Sequence, residues 1–197
     1  MALSQPARLY LGPVPDVSWR VCWESELTDA DHAVVSALLA RCYPRWAATF
    51  TGGRSWSGAR PEVRVLGGNR LEPVAHLGVL RRFLRAPNSE QHVLVGDVGL
   101  VAVDPNLQHR GVGIRLLEQT QQLLRQLQLP FGFLTCRPEV VPFYQAGGWH
   151  RIEQQVTRMI GNDQAVETYQ GGAMIMPVHG TLGAWPTELV DRNGLEV

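Results

Sequence analysis

Lysine is missing from this chain of 197 residues, so arginine supplies all 18 of its strongly basic groups. Without lysine the chain cannot carry the P-loop signature of nucleotide-binding proteins, which ends in lysine followed by serine or threonine. The arginine bias is itself explained as well by a GC-rich genome as by function. An ATP-binding loop of the common type is therefore disfavoured.

Net charge, cysteine pairs and long apolar runs are also lacking. The 18 acidic and 18 basic residues balance, which argues against a general nucleic-acid surface. No run of about 18 apolar residues could span a membrane, and residues 1–17 lack the features of a secretory signal, which predicts a soluble cytoplasmic protein. Cys22, Cys42 and Cys136 form no C-x-x-C pair, so neither a disulfide framework nor a metal site is predicted.

One domain over residues 1–197 is predicted from the length and the apolar fraction of 45%, with residues 1–17 as an irregular N-terminal extension. The pattern of elements predicts an α+β chain. Strands are expected over 19–24, 63–67, 74–84, 92–103, 131–135, 149–159 and 173–178, and helices over 28–42, 111–128 and 138–149. Residues 45–60 are predicted to be a loop or a broken helix.

Residues 101–117 run from an apolar strand through a glycine turn into a helix. Gln108, Arg110, Gly111 and Gly113 follow the pattern Q-x-R-G-x-G, in which glycines let backbone N–H groups surround a phosphate at a helix N-terminus. The spacing does not match the G-x-G-x-x-G of dinucleotide folds. The pattern thus predicts a pyrophosphate site, although a plain glycine turn between strand and helix is the alternative.

A second motif follows the short strand 131–135, where residues 143–149 read F-Y-Q-A-G-G-W. The two motifs together resemble motifs A and B of the GCN5-related N-acetyltransferases (GNAT), whose fold has helices on both faces of a mixed sheet of about seven strands. The resemblance implies that two parallel strands splay apart, that acetyl-CoA lies between them, and that Tyr144 protonates the departing thiolate. Tyr144 could instead be an ordinary half-buried aromatic residue. The cofactor-binding residues implied are Val101, Ala102, Val103, Gln108, His109, Arg110, Gly111, Val112 and Gly113.

Four further segments, 20–32, 53–64, 75–83 and 189–197, are similar to the nodulation acyltransferases NodA, a similarity that covers nearly the whole chain. That family transfers a fatty acyl group from an acyl carrier protein to the free amine of a chitooligosaccharide. NodA-like proteins typically have a degraded glycine motif. Because the motif is intact here, CoA is favoured over a carrier protein as the donor.

The aminoglycoside 2'-N-acetyltransferases are a second resemblance, through Ala75, His76 and residues 79–82, and through Glu188, Leu189 and Asp191 with one residue fewer than in that family. Both relatives acylate the 2-amine of a hexosamine. The expected function is therefore transfer of acetyl from acetyl-CoA to an amino-sugar compound, such as the aminoglycoside antibiotic kasugamycin, which would confer resistance. The alternative is a NodA-like long-chain acyltransferase acting on a glucosamine oligosaccharide, and a CoA-binding sensor without turnover ranks last.

Asp97 is the expected catalytic base, because it precedes the motif A turn where NodA has an acidic residue; a strand-edge aspartate, with another carboxylate as base, is the alternative. Carboxylates and aromatic faces suit a cationic amino sugar. Candidates on segments marked by the resemblance are Asp191, Glu188, Trp185, Trp56 and Glu24, each of which could instead be a packing or solvated residue. The expected partner is this small amino sugar, with no nucleic acid or membrane, and the fold implies a homodimer.

Overall fold

A mixed β-sheet with three α-helices makes up the computed structural model, which describes residues 16–186 and 188–197. The predicted extension over 1–17 lies almost entirely outside the described residues. The strands are β1 (Trp19–Trp23), β2 (Val63–Gly68), β3 (Pro73–Ala86), β4 (Gln91–Val103), β5 (Phe131–Leu134), β6 (His150–Ile152), β7 (Val156–Ile160), β8 (Val166–Tyr169), β9 (Ala173–Pro177) and β10 (Leu189–Asp191). The helices are α1 (Asp29–Cys42), α2 (Val112–Gln126) and α3 (Val141–Ala146).

Helix α1 begins where the sequence predicts it, at a capping box. The Thr28 hydroxyl accepts from the Asp31 backbone N–H at 3.3 Å, and the Asp31 carboxylate accepts from the Thr28 backbone N–H at 3.0 Å. These bonds satisfy N–H groups that a helix start leaves without partners. The local sequence alone therefore sets this boundary.

The centre of the sheet contains the predicted parallel pair. Strands β4 and β5 share three rungs, Val95 with Phe131, Gly96 with Gly132, and Asp97 with Phe133. Beyond Asp97, β4 continues to Val103 paired with β3, whereas β5 pairs with β9 along its other edge and ends at Leu134. Helix α2 makes the crossover that a parallel pair requires. The expected splayed pair is confirmed.

The sheet has ten strands in the described part of the chain, compared with about seven expected. The single strand predicted over 149–159 is two strands, because a turn after Ile152 sends β6 to β9 and β7 to β8 and β10. Strands β8 and β10 were not predicted. They are short, and most of β8 is exposed, so neither has a strong apolar period.

Apolar packing covers both faces of the sheet. On one face, α2 packs Leu116, Leu117 and Leu124 into a cluster with Val79 and Val98. On the other face, α1 and the segment around β10 contribute to two further clusters. Along α2, Leu117 and Leu124 are fully buried, while Ile114 and Leu127 are only half-buried. Within the described residues, no helix combines the length and hydropathy needed to cross a membrane.

Candidate active site

A cleft of about 770 Å³ opens where β4 and β5 part. Its walls are β4 residues 98–101, the segment that follows β5, helix α3, the β7–β8 connection, residues 195–197 of the C-terminal segment and parts of the segment 43–58 after α1. Most of the lining side chains are apolar. Because the parted strands leave backbone groups without sheet partners, the cleft offers both apolar surface and backbone hydrogen bonds to a ligand.

A β-bulge shapes the wall that β4 contributes. Pairing with β3 shifts between Gly78–Gly99 and His76–Ala102, so Leu100 and Val101 both lie opposite Leu77. Leu100 has a φ of 53°, a left-handed conformation that is rare outside glycine. At the bulge, the carbonyl of Val101 accepts a hydrogen bond from the Tyr43 hydroxyl at 2.6 Å.

A buried histidine holds the bulge in place. His76 Nδ1 lies 2.8 Å from the carbonyl of Leu100, and His76 Nε2 lies 2.9 Å from Arg64 Nη1. A carbonyl only accepts and a guanidinium only donates, so the imidazole is neutral and carries its proton on Nδ1. Burial lowers the pKa of His76 to about 3, and the charge of Arg64 adds to this shift. The position of His76 makes it a structural support of the cleft wall.

His76 should make the fold sensitive to acid. Its pKa is near 6.5 in an unfolded chain and about 3 in the fold, so below pH 6.5 the unfolded state binds one more proton. Stability is therefore lost as pH falls from 6.5 towards 3, by up to about 1.4 kcal/mol per pH unit from this residue. Urea unfolding at several pH values should show a shallower slope for His76→Asn than for the wild type. Equal slopes would contradict the assignment.

The turn between β4 and α2 has the geometry of an anion site. His109 and Gly111 have φ values of 58° and 83°, and Gly111 caps a helix whose first N–H groups lack intrahelical partners. A side chain at Gly113 would approach the Phe143 ring to 2.8 Å, so close packing of α2 on α3 requires glycine there. The side chain of Gln108 donates to the carbonyl of Val103 at 3.2 Å and supports the turn. These residues fit a pyrophosphate group.

Tyr144 lies where the second motif predicts, on the wall of the cleft. Its ring is only 7% exposed and packs edge-on against Phe143 and Trp149, at centroid distances of 5.0 and 6.0 Å. Burial raises the pKa of the Tyr144 hydroxyl, so the group stays protonated at neutral pH. It can therefore donate a proton to a ligand in the cleft.

Asp97, the expected base, is fully buried and does not line the cleft. Its carboxylate lies 3.1 Å from Arg82 Nε and 3.0 Å from Arg192 Nε. Burial raises the pKa of Asp97, although both arginines act against that shift. An acceptor amine cannot contact this carboxylate without displacing an arginine, so the geometry does not support Asp97 as the base.

The five residues expected to bind substrate also lie outside the cleft lining. Trp185 is 4% exposed, stacks on Phe133 and donates its Nε1–H to Gln155 at 2.7 Å, which makes it a core residue. Trp56 packs edge-on against His32 beneath Arg60. The carboxylates differ in their surroundings: Glu24 pairs with Arg60 and Arg64, Asp191 pairs with Arg85 and Arg158, and Glu188 is exposed to solvent.

Several polar or aromatic residues of the cleft were missed by sequence reasoning, and three of them bear on the site. Tyr43 binds the bulge, Trp46 is 67% exposed, and Glu196 accepts a hydrogen bond from the Thr135 hydroxyl at 2.5 Å. Trp46 lies in a turn-rich segment, and Glu196 lies in a tail that the NodA resemblance marked as similar without assigning it a role. No spacing pattern singles out either residue.

A sheet whose central parallel pair splays beside a glycine turn defines the GNAT fold, and solved structures share this fold. A GNAT family N-acetyltransferase (YhbS) from Escherichia coli in complex with CoA superposes with a TM-score of 0.59 at 11% identity, over 90% of this chain and 91% of that one. An acyl-CoA N-acyltransferase from Pseudomonas aeruginosa gives a TM-score of 0.55 at 14% identity, over 82% and 99%.

Within that class the chain belongs to the nodulation protein A (NodA) family, whose model matches residues 14–197. Nodulation protein A of Bradyrhizobium sp. (strain NC92) is 35% identical over 211 residues, which cover 93% of each chain. Nodulation protein A of Rhizobium meliloti (strain 1021) is 34% identical over 195 residues, covering 92% of this chain and 98% of the relative. These relatives give no support to the expected aminoglycoside acceptor, and they favour the NodA-like alternative.

Proposed function

We propose that this protein is an N-acyltransferase that moves a fatty acyl group from a CoA thioester to the free amine of a glucosamine oligosaccharide. The observation that carries the proposal is the cleft at the splayed β4–β5 pair, which has Tyr144 on its wall. The membership of the NodA family supports an amino-sugar acceptor. The exposed Trp46 ring at the cleft supports it further, because aromatic faces bind sugar rings well.

The donor side of the proposal rests on the turn after β4. Residues 108–113 present backbone N–H groups and the start of a fifteen-residue helix, which together suit the pyrophosphate of CoA. Strand β4 runs from its bulge in the cleft wall to this turn. Along that stretch its backbone can hold the pantetheine arm and polarise the thioester carbonyl. One backbone donor to a developing oxyanion is worth on the order of 3 kcal/mol in other enzymes.

The walls of the cleft support a long acyl chain. Acetyl needs little apolar surface, whereas the cleft is lined by Phe50, Val140, Phe143, Met159 and Ile160. Each methylene group buried against such a surface contributes about 0.8 kcal/mol. A fatty acyl group therefore uses this cleft better than an acetyl group does.

Gly111 provides a direct prediction for donor binding. At its φ of 83° an alanine side chain is strained by about 1–2 kcal/mol, so Gly111→Ala should destabilise the fold by that amount or reshape the turn. In either case CoA should bind at least tenfold more weakly, as measured by isothermal titration calorimetry. Gly183→Ala is a suitable control, because a methyl group there meets nothing within 4 Å. Unchanged CoA affinity in Gly111→Ala would contradict the pyrophosphate assignment.

The function is tested by measuring thiol release and acylated product with a series of acyl-CoA donors from acetyl to palmitoyl. The acceptors are a chitooligosaccharide with one free terminal amine and its fully N-acetylated counterpart as control. Product that forms only with the free amine, and faster with long chains, is the expected result. Faster acetylation of kasugamycin or another aminoglycoside would overturn the proposed acceptor, and activity restricted to acyl carrier protein donors would overturn the proposed donor.

A further inference from the structure

We propose that Glu196 is the catalytic carboxylate that binds the acceptor ammonium and removes its proton, an inference that rests on the proposed function. Glu196 lines the cleft and its side chain is 49% exposed, whereas Asp97 is fully buried. The charged cluster around Asp97 holds Glu196 in position. Asp163 and Glu167 also line the cleft, from the β7–β8 side, whereas Glu196 contacts Thr135 where the strands part, so the proposed base comes from the C-terminal segment and not from β4.

The contacts of Glu196 fix one of its oxygens and leave the other available. Glu196 Oε1 accepts from the Thr135 hydroxyl at 2.5 Å and lies 3.1 Å from Arg192 Nη1. Thr135 directly follows β5, just past the last β4–β5 rung, so Oε1 is fixed beside the point where the strands part. Neither of these contacts involves Oε2, which has no hydrogen-bond partner among the described residues and can contact a ligand in the cleft.

Arg192 is the link between Glu196 and the interior. Its side chain is fully buried, donates to Asp97 Oδ1 at 3.2 Å and lies over the Phe133 ring at 5.1 Å. Asp97 in turn is shared with Arg82. Asp97 holds the buried guanidinium of Arg192 in place through charge-assisted contacts. Because Arg192 also pairs with Glu196, it fixes the position of the Glu196 carboxylate. Asp97 and Arg192 are positioning residues in this arrangement.

Other ionisable groups approach Glu196 from several elements. Besides Arg192 and the Asp97–Arg82 pair, these are Tyr43 after α1, Cys136 after β5, Tyr144 on α3 and Tyr169 on β8. Burial raises the pKa of Tyr43, Tyr144, Cys136 and Tyr169, and the negative charge of Glu196 adds to each shift. Glu196 and Tyr144 both line the cleft, so the proposed base and the proposed acid face the same space.

The proton balance assigns one step to each group. Glu196 takes one proton from the ammonium, and the free amine nitrogen then attacks the thioester carbonyl, so that a C–N bond forms and the C–S bond breaks. The thiolate takes the Tyr144 proton, and the phenolate is reprotonated by the second proton that the nitrogen loses. The products are amide and thiol, and the proton on Glu196 leaves to solvent.

The test compares Glu196→Gln with the wild type across pH. At pH 7 we expect kcat/KM for the amine acceptor to fall about 100-fold or more, with CoA affinity unchanged. Below the pKa of the amine, each unit of increase in pH raises its unprotonated fraction about tenfold, so the deficit should shrink towards pH 9. Glu196→Asp, which keeps the charge, should recover part of the activity and provides a second variant. Glu118→Gln on the exposed face of α2 is the matched control.

A deficit that stays constant with pH, or a loss below threefold, would overturn the role of Glu196 while leaving the acyltransferase proposal intact. Weaker CoA binding in Glu196→Gln would also overturn it, since the carboxylate would then act through the fold of the cleft. If the wild type acylates no amine with any donor, the proposed function itself fails, and the inference fails with it. The Glu196 variants therefore test the role of this carboxylate, whereas the activity of the wild type tests the proposed function.

Discussion

Asp97→Asn is expected to lower the free energy of unfolding by about 3–5 kcal/mol, because it leaves two arginines without the charge they share in the interior. Arg192 is fully buried and the Arg82 side chain is only 11% exposed, so water cannot replace the lost carboxylate. A surface aspartate would not have this effect, since exposed ion pairs contribute at most about 1 kcal/mol. The size of the loss therefore separates a structural carboxylate from a solvated one.

Urea unfolding of Asp97→Asn, with Glu118→Gln as an exposed control, measures this loss. Stability within about 1 kcal/mol of the wild type would show that the two arginines do not depend on Asp97. If such a stable variant lost kcat about 100-fold while Glu196→Gln kept it, Asp97 would be restored as the base and the burial argument would be wrong. The two variants together thus separate a catalytic role of Asp97 from its role in positioning Glu196.

Tyr144→Phe is expected to lower kcat about 100-fold while leaving CoA affinity and stability nearly unchanged. The substitution removes only the hydroxyl, and the ring keeps its edge-on contacts with Phe143 and Trp149. Because burial raises the pKa of Tyr144, the hydroxyl is protonated throughout the neutral range and is available to the departing thiolate. The loss should therefore appear in the chemical step.

Single-turnover measurements with a saturating acyl-CoA isolate that step from product release. Tyr169→Phe is the matched control, because the Tyr169 hydroxyl donates to the carbonyl of Cys136 at 2.6 Å and lies outside the cleft lining. We expect this control to keep kcat within threefold. An unchanged single-turnover rate in Tyr144→Phe would remove the tyrosine from the role of acid.

Local patterns predicted the parts of the molecule that local physics decides. The capping box at Thr28 marked the start of α1, because its two hydrogen bonds join residues three apart. The glycines at 111 and 113 marked the turn after β4, because few other residues allow its backbone conformation or its close packing. The splayed parallel pair followed from strand, turn and helix in that order, together with the resemblance to a known fold.

The roles of individual carboxylates and aromatic residues depended on contacts that no spacing reveals. Trp185 was expected on the substrate side, yet it is a core residue because β5 and Gln155 enclose it. Trp46, in a segment predicted only as a loop or broken helix, is instead the tryptophan exposed at the cleft. The sequence around an isolated tryptophan does not distinguish a core position, such as that of Trp185, from an exposed position at a cleft, such as that of Trp46.

By itself, then, the sequence determined the fold class, the glycine turn after β4 and the tyrosine of the cleft, since the fold class follows from the order of elements and the other two lie within short runs of residues. Only the tertiary structure decided which carboxylates line the cleft. Asp97 and Arg192 are 95 positions apart, and their pairing buries the first carboxylate while placing the arginine beside Glu196. Whether a charge is paired in the interior or open to a ligand is set by such long-range contacts, because burial depends on what the whole chain packs around it.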